Sequence, residues 1–141
     1  MWRKVLGVLL GLSVAITLIT LLQAIGHKLW PLPGEFAPGD RAAIAEAVRN
    51  APAGALLWVA LAWFVGTFAG GYAALRVAKD AVATWPAVTV EAVLLTFGAL
   101  TLLSFPHPGW FWIVGLISFP LGAFAAIRLA RRVMGQAAVG H

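Results

Sequence analysis

Residues 51–75 read APAGALLWVALAWFVGTFAGGYAAL, 25 positions without one charged side chain. A helix needs about 20 predominantly apolar residues to cross a hydrocarbon core about 30 Å thick, so this stretch is long enough to span one. Three further blocks share its character. Residues 5–25 and 109–127 carry no charge, and residues 81–105 carry only Glu91. A backbone exposed to lipid has to satisfy its hydrogen bonds within its own segment, so each block is expected to be helical. Four buried helices of a water-soluble bundle would each need a polar face, and none of these blocks has one. Across all 141 residues, 62% are apolar and 11% charged, whereas a soluble domain carries about 25% charged residues.

The expectation is an all-α membrane protein of one domain. Its four transmembrane helices, at about 5–25, 53–75, 82–104 and 109–130, would form an antiparallel bundle with one short amphipathic interfacial helix. Arg3 and Lys4 ahead of the first block resemble the start of a secretory signal. A signal core spans only about 7–15 residues and ends at small residues. The run here is longer and closes on Leu22-Gln23-Ala24-Ile25, which is a poor cleavage site, so a retained first helix is expected.

Basic residues set the orientation. Arg3, Lys4, Arg76, Lys79, Arg128, Arg131 and Arg132 fall on one side, and only Lys28, Arg41 and Arg49 on the other. The richer side is expected to be cytoplasmic, which puts both termini on the cytoplasmic side of a bacterial inner membrane. Tryptophan prefers the membrane–water boundary. Trp2 and Trp85 fall near the inner ends of the blocks, and Trp30, Trp58, Trp110 and Trp112 near the outer ends, while Trp63 lies deeper. The pI near 10.9 reflects this bias and attraction to anionic lipid. A nucleic-acid partner would need a basic folded domain, and the sequence has none.

The connections are unequal. Residues 76–80 make a very short inner turn, so the second and third helices should be neighbours. Residues 104–108 make a short outer one. The outer loop, about 26–52, is the only substantial extramembrane region. Pro31 and Pro33 give it an extended start, and Pro38-Gly39-Asp40 offers a turn whose Asp40 can cap a helix at about 41–49. Ile44, Ala47 and Val48 share one face of that helix, apart from Arg41, Glu46 and Arg49. It should lie on the membrane surface or over the bundle. Small residues recur at spacing four: Gly7, Gly11 and Ala15, then Ala62, Gly66, Gly70 and Ala74 with Gly71 beside them, then Ser118, Gly122 and Ala126. Such seams permit close helix packing, within this chain or against a protein partner or second copy.

There is no cysteine, which excludes thiol catalysis and disulfide exchange. No phosphate-binding loop, HExxH or serine elbow is present, and no cofactor is implied. Two histidines fall at the predicted outer boundary. His27 follows Gln23 by one helical turn, and His107 stands in Pro106-His107-Pro108. With Glu35, Asp40 and Glu46 nearby, a metal or proton-handling site is geometrically conceivable, against the plainer role of binding helix-end carbonyls. The spacing of two histidines alone specifies no metal.

Glu91 is the single acidic residue within a block. Counted from Val82, nine residues at about 1.5 Å each place it about 13 Å deep, near the midplane. A carboxyl there faces the bundle interior or a cavity. Ser13, Thr17, Thr67 and Ser118 fall at similar depth, and Pro120 leaves the Leu116 carbonyl without its helical donor. The expectation is a neutral Glu91 hydrogen-bonded inside the bundle, with a proton or ion relay as the alternative.

Gly26-His27 with Trp30-Pro31, the Gly66–Gly71 seam, and Pro106-His107-Pro108-Gly109-Trp110 together resemble a family of small four-helix bacterial membrane proteins of uncharacterised function. In that family the position of Gln23 is often acidic and that of Trp30 often tyrosine. The resemblance implies the topology and a special outer face, and no reaction. Three functional classes follow from the sequence. The first is an accessory or scaffolding component of a membrane assembly, favoured by the scarcity of ionisable groups. The second is a small proton-coupled transporter using Glu91. The third is an outer-face enzyme or ligand- or metal-binding protein built on His27 and His107.

Overall fold

The structure, a computed structural model, describes residues 1–31, 37, 39–80 and 83–139, with backbone alone for 136–139. Leu32, Pro33, Gly34, Glu35, Pro38, Ala81 and Val82 lie outside the described residues, and with them part of the outer-loop expectation. The described chain is all-helical: α1 (Trp2–Leu29), α2 (Arg41–Arg49), α3 (Ala53–Ala78), α4 (Trp85–Ser104) and α5 (Gly109–Val139). Four of the helices, all but α2, are long and apolar enough to cross a membrane.

Helix ends differ from those expected because helices outlast the apolar blocks. α1 runs on through Gly26-His27-Lys28, and α5 through Arg128, Arg131 and Arg132. α3 continues to Ala78 and stops at Lys79, whose left-handed backbone (φ 54°) turns its N–H to the Leu75 carbonyl at 3.0 Å. α4 begins at Trp85, later than the expected Val82. The Asp80 carboxylate accepts from the Ala83 N–H at 2.9 Å and holds a turn ahead of the helix, and Pro86 occupies the first turn, where no N–H is needed. Lys4 on α1 pairs with Asp80 at 2.8 Å, tying the start of α1 to this turn. At the start of α2, Gly39 adopts φ 86° and the Asp40 side chain accepts from the Ala43 N–H at 3.0 Å, as the sequence predicts.

α3 is the central helix and touches α1, α4 and α5. Against α1 its chain direction is opposed: Ala74 meets Gly7, Gly70 meets Gly11, and Gly66 meets Ala15 and Ile19. Against α5 the direction is shared, with Trp63 beside Phe119, Thr67 beside Gly122 and Gly71 beside Ala126. The tightest point is mutual. A Cβ on Gly11 would sit 2.5 Å from the Gly70 carbonyl oxygen, and a Cβ on Gly70 would sit 2.5 Å from that of Gly11. Gly122 fits against the Phe64 carbonyl in the same way. Gly7, Gly11, Gly66, Gly70, Gly71 and Gly122 are therefore all spent on contacts within the chain.

The outer surface of the helices is apolar. Leu9, Val14, Ile16, Leu61, Phe97, Leu103, Ile113, Leu121 and Phe124 are exposed, and only 17% of the most apolar window of α1 is buried. Five exposed hydroxyls on these helices are satisfied by their own backbone. Ser13 donates to the Leu9 carbonyl, Thr89 to Trp85, Thr96 to Ala92, Thr101 to Phe97 and Ser104 to Leu100, at 2.7–3.0 Å.

Gly70→Ala should lower unfolding stability by about 1–3 kcal/mol, because the neighbouring atom is a backbone oxygen that cannot rotate away. Gly109→Ala, which meets nothing within 4 Å, should stay within about 0.5 kcal/mol of the parent. Denaturation by sodium dodecyl sulfate, followed by circular dichroism, distinguishes the two.

Candidate functional site

The Gln23–His27 turn of α1 and the Phe105–Pro108 connection meet at one end of the molecule, the end that carries α2. A cavity of about 360 Å³ opens there. Gln23, Gly26, His27 and Trp30 form one wall, Thr101, Phe105 and His107 another, and Trp58 and Trp63 of α3 lie between. Ile44 and Val48, on the apolar face of α2 read from the sequence, line its outer side. The volume falls within the range of about 300–1,000 Å³ usual for small-ligand sites.

Two tryptophans fix the α1 side. The Trp58 indole N–H donates to the Leu22 carbonyl at 2.7 Å. Its ring lies so close to Gly26 that a Cβ there would approach Cδ1 to 2.6 Å. Trp30 packs on Trp58 with ring centroids 6.2 Å apart and lies over Gly54. Glycine at position 26 is thus what lets an indole rest on the helix backbone. Trp63 forms the floor and is 5% exposed, wedged between Phe111 and Phe119 at 5.8 and 5.1 Å. Gly115 makes room for its edge.

On the other wall, His107 stacks on Phe111 with centroids 5.3 Å apart, and its Nδ1 lies 2.9 Å from the Phe105 carbonyl oxygen. A carbonyl only accepts, so Nδ1 carries the hydrogen, and in the uncharged ring Nε2 is left as an acceptor. Phe105 is extended after α4, and Pro106 and Pro108 stiffen the link to α5. Gln23 has no hydrogen-bond partner among the described residues, so its amide retains two donors and an acceptor for whatever enters the cavity.

Gln23, His27 and His107 come together as their sequence positions imply. Asp40 and Glu46 do not join them. Asp40 caps α2, and Glu46 lies outside the described lining. No group of three His, Asp or Glu side chains suited to a metal forms among the described residues.

Glu91 departs from expectation. Because α4 starts at Trp85, Glu91 lies six residues, or about 9 Å, from the start of the helix. It makes no hydrogen bond among the described residues and lines neither cavity described here. Three of the four hydroxyls expected around it turn to their own helices: Ser13 to Leu9, Thr67 to the Trp63 carbonyl at 2.8 Å, and Ser118 to that of Gly115 at 2.6 Å, while Thr17 makes no hydrogen bond among the described residues.

Sequence reading missed Trp63 as the cavity floor, as well as Thr101 and Phe105. The available signal was the pairing of large rings with Gly98 and Gly115 on other helices, which becomes legible only once the helix register is known. Compared with known protein families, with curated proteins and with solved structures, the chain matches none.

Trp58→Phe removes the indole donor while keeping a ring, and should cost about 0.5–1.5 kcal/mol of stability. The same detergent titration measures it, and an unchanged midpoint would mean that the bond to Leu22 contributes nothing.

Proposed function

We propose that this chain is a multi-pass protein of the bacterial inner membrane that binds a small ligand at its outer face, in the cavity bounded by Gln23, His27 and His107. On this reading α1, α3, α4 and α5 form an antiparallel transmembrane bundle with both termini cytoplasmic. The exposed apolar surface and the self-satisfied hydroxyls support insertion in lipid. The excess of Lys and Arg at the end opposite the cavity supports the orientation.

The observation that carries the reading is the convergence of two sequence-distant polar segments on one cavity that α2 covers. Its described lining holds a free amide and two imidazoles, but no carboxylate, lysine or arginine. That set recognises oxygen and nitrogen atoms without supplying a charged acid–base pair, which favours binding over catalysis. A role in a larger assembly has less support, because the small-residue seams are occupied within the chain. Transport through Glu91 also has less support, since no ionisable partner accompanies it among the described residues.

A short neutral ester, 1-monobutyrin, serves as the probe in saturation-transfer NMR with the protein in lipid nanodiscs. Transfer to the probe is expected with the parent protein and with Glu91→Gln, and is expected to vanish in the double variant Gln23→Ala/His107→Ala. Equal transfer in that double variant, with helicity intact, rules the reading out.

A further inference from the structure

A second cavity, of about 310 Å³, lies directly below the first, and Gln23, Trp63 and Thr101 line both. Its walls are Ile16, Ile19 and Thr20 of α1 and Leu94, Phe97 and Gly98 of α4, and its floor is Trp63 and Phe119. Together the two form a trough. From Ile16 to His27 it follows eleven residues of α1, about 16 Å at about 1.5 Å per residue. Ile16, Thr20, Phe97 and Thr101 on its rim are exposed, so the trough opens sideways between α1 and α4 onto the apolar outer surface.

The imidazoles lie in the upper half alone. The lower half offers mainly aliphatic and aromatic surface with the Thr20 hydroxyl and the Gln23 amide, which lines both halves, and the Thr101 hydroxyl is already donated to the Phe97 carbonyl. No carboxylate, lysine or arginine occurs in the described lining of either half. A phosphate or carboxylate head would lose its water there without gaining a counter-charge, which is strongly unfavourable. A hydroxyl or carbonyl head would find donors and acceptors.

We infer that the occupant is an uncharged, single-chain membrane lipid. Its oxygen-bearing head sits between Gln23 and His107, and its hydrocarbon chain lies in the α1–α4 trough. This rests on the proposed outer-face site and adds the chemical class of ligand and its route of entry. The lipid comes in laterally from the bilayer, beneath α2, without crossing the aqueous phase. Only one chain fits, because Phe119 packed over Gly98 closes the trough behind it.

The test uses monooleoylglycerol carrying a diazirine at mid-chain, with the protein in phosphatidylcholine nanodiscs. Illumination is followed by mass-spectrometric mapping of the adducts. Labelling is expected on Ile16, Leu94 and Phe97, and unlabelled monooleoylglycerol should compete for it. Thr101→Trp places an indole where the two cavities join, at an exposed position that tolerates it, and should reduce labelling about tenfold. The same chain on lysophosphatidylglycerol should label about tenfold less than the glycerol ester, for want of a counter-charge.

Adducts spread over the whole outer surface, insensitive to Thr101→Trp, would overturn the inference. So would equal labelling by the anionic lipid. If 1-monobutyrin still binds in either case, the outer-face site stands and only the lipid assignment falls. If it does not bind, both fall.

Discussion

The backbones of α1 and α3 come together at Gly11 and Gly70, and the rest of the architecture hangs on that approach. Each glycine occupies the space that a side chain on the other would need. In lipid there is little hydrophobic drive between helices, so attraction has to come from dispersion across a close interface. Val90 of α4 fills the notch beside both glycines, so three helices are drawn together at one level. Farther along α1 the side chains grow, through Ile16 and Ile19 to Gln23, and those facing them on α4 are Leu94 and Phe97. Small residues close the helices at one end, and large ones hold them apart toward the other. The trough follows from that change in side-chain size along two helices of fixed direction.

Trp63 converts the resulting gap into a shaped cavity. Its ring is held by Phe111 and Phe119 and seated against Gly115, so it stays as a floor and does not collapse into the space above. A void in a packed core is costly because its lining forfeits dispersion contacts. A gap open to lipid is different, since hydrocarbon fills it when nothing more specific does. On the proposed reading, the polar groups at its upper end are what an incoming lipid head gains over plain hydrocarbon.

The four long helices and the α2 cap were legible in the sequence because each depends on local chemistry: an unbroken apolar run, or Asp40 three residues ahead of an N–H. Gln23, His27 and His107 were legible as a group because helix length alone carries them to one end. What was not legible depended on rotation and register. Glu91 seemed deep because the start of α4 was taken at Val82, whereas Asp80 and Pro86 delay the helix to Trp85. Its expected partners were chosen by depth alone, yet Ser13, Thr67 and Ser118 close on carbonyls of their own helices. Trp63 read only as lying deeper than the other tryptophans, because nothing in composition shows that Gly98 and Gly115 make room for the rings around it.

The two ends of the molecule hold their polarity differently, and the difference bears on what each can do. At the Lys4–Asp80 end the polar groups are full charges, paired across a turn or carried outward on Arg128, Arg131 and Arg132. Groups of that kind interact with a charged lipid surface. At the α2 end the described cavity lining has no full charge, and its polar atoms are amide and imidazole set among indoles. Weak, directional groups in an apolar frame select by hydrogen-bond geometry, and they release a neutral guest without separating an ion pair. Ile44 and Val48 close the recess on the side away from the helices, while the gap between α1 and α4 stays open. On the proposed reading, that arrangement favours exchange with the bilayer over exchange with water.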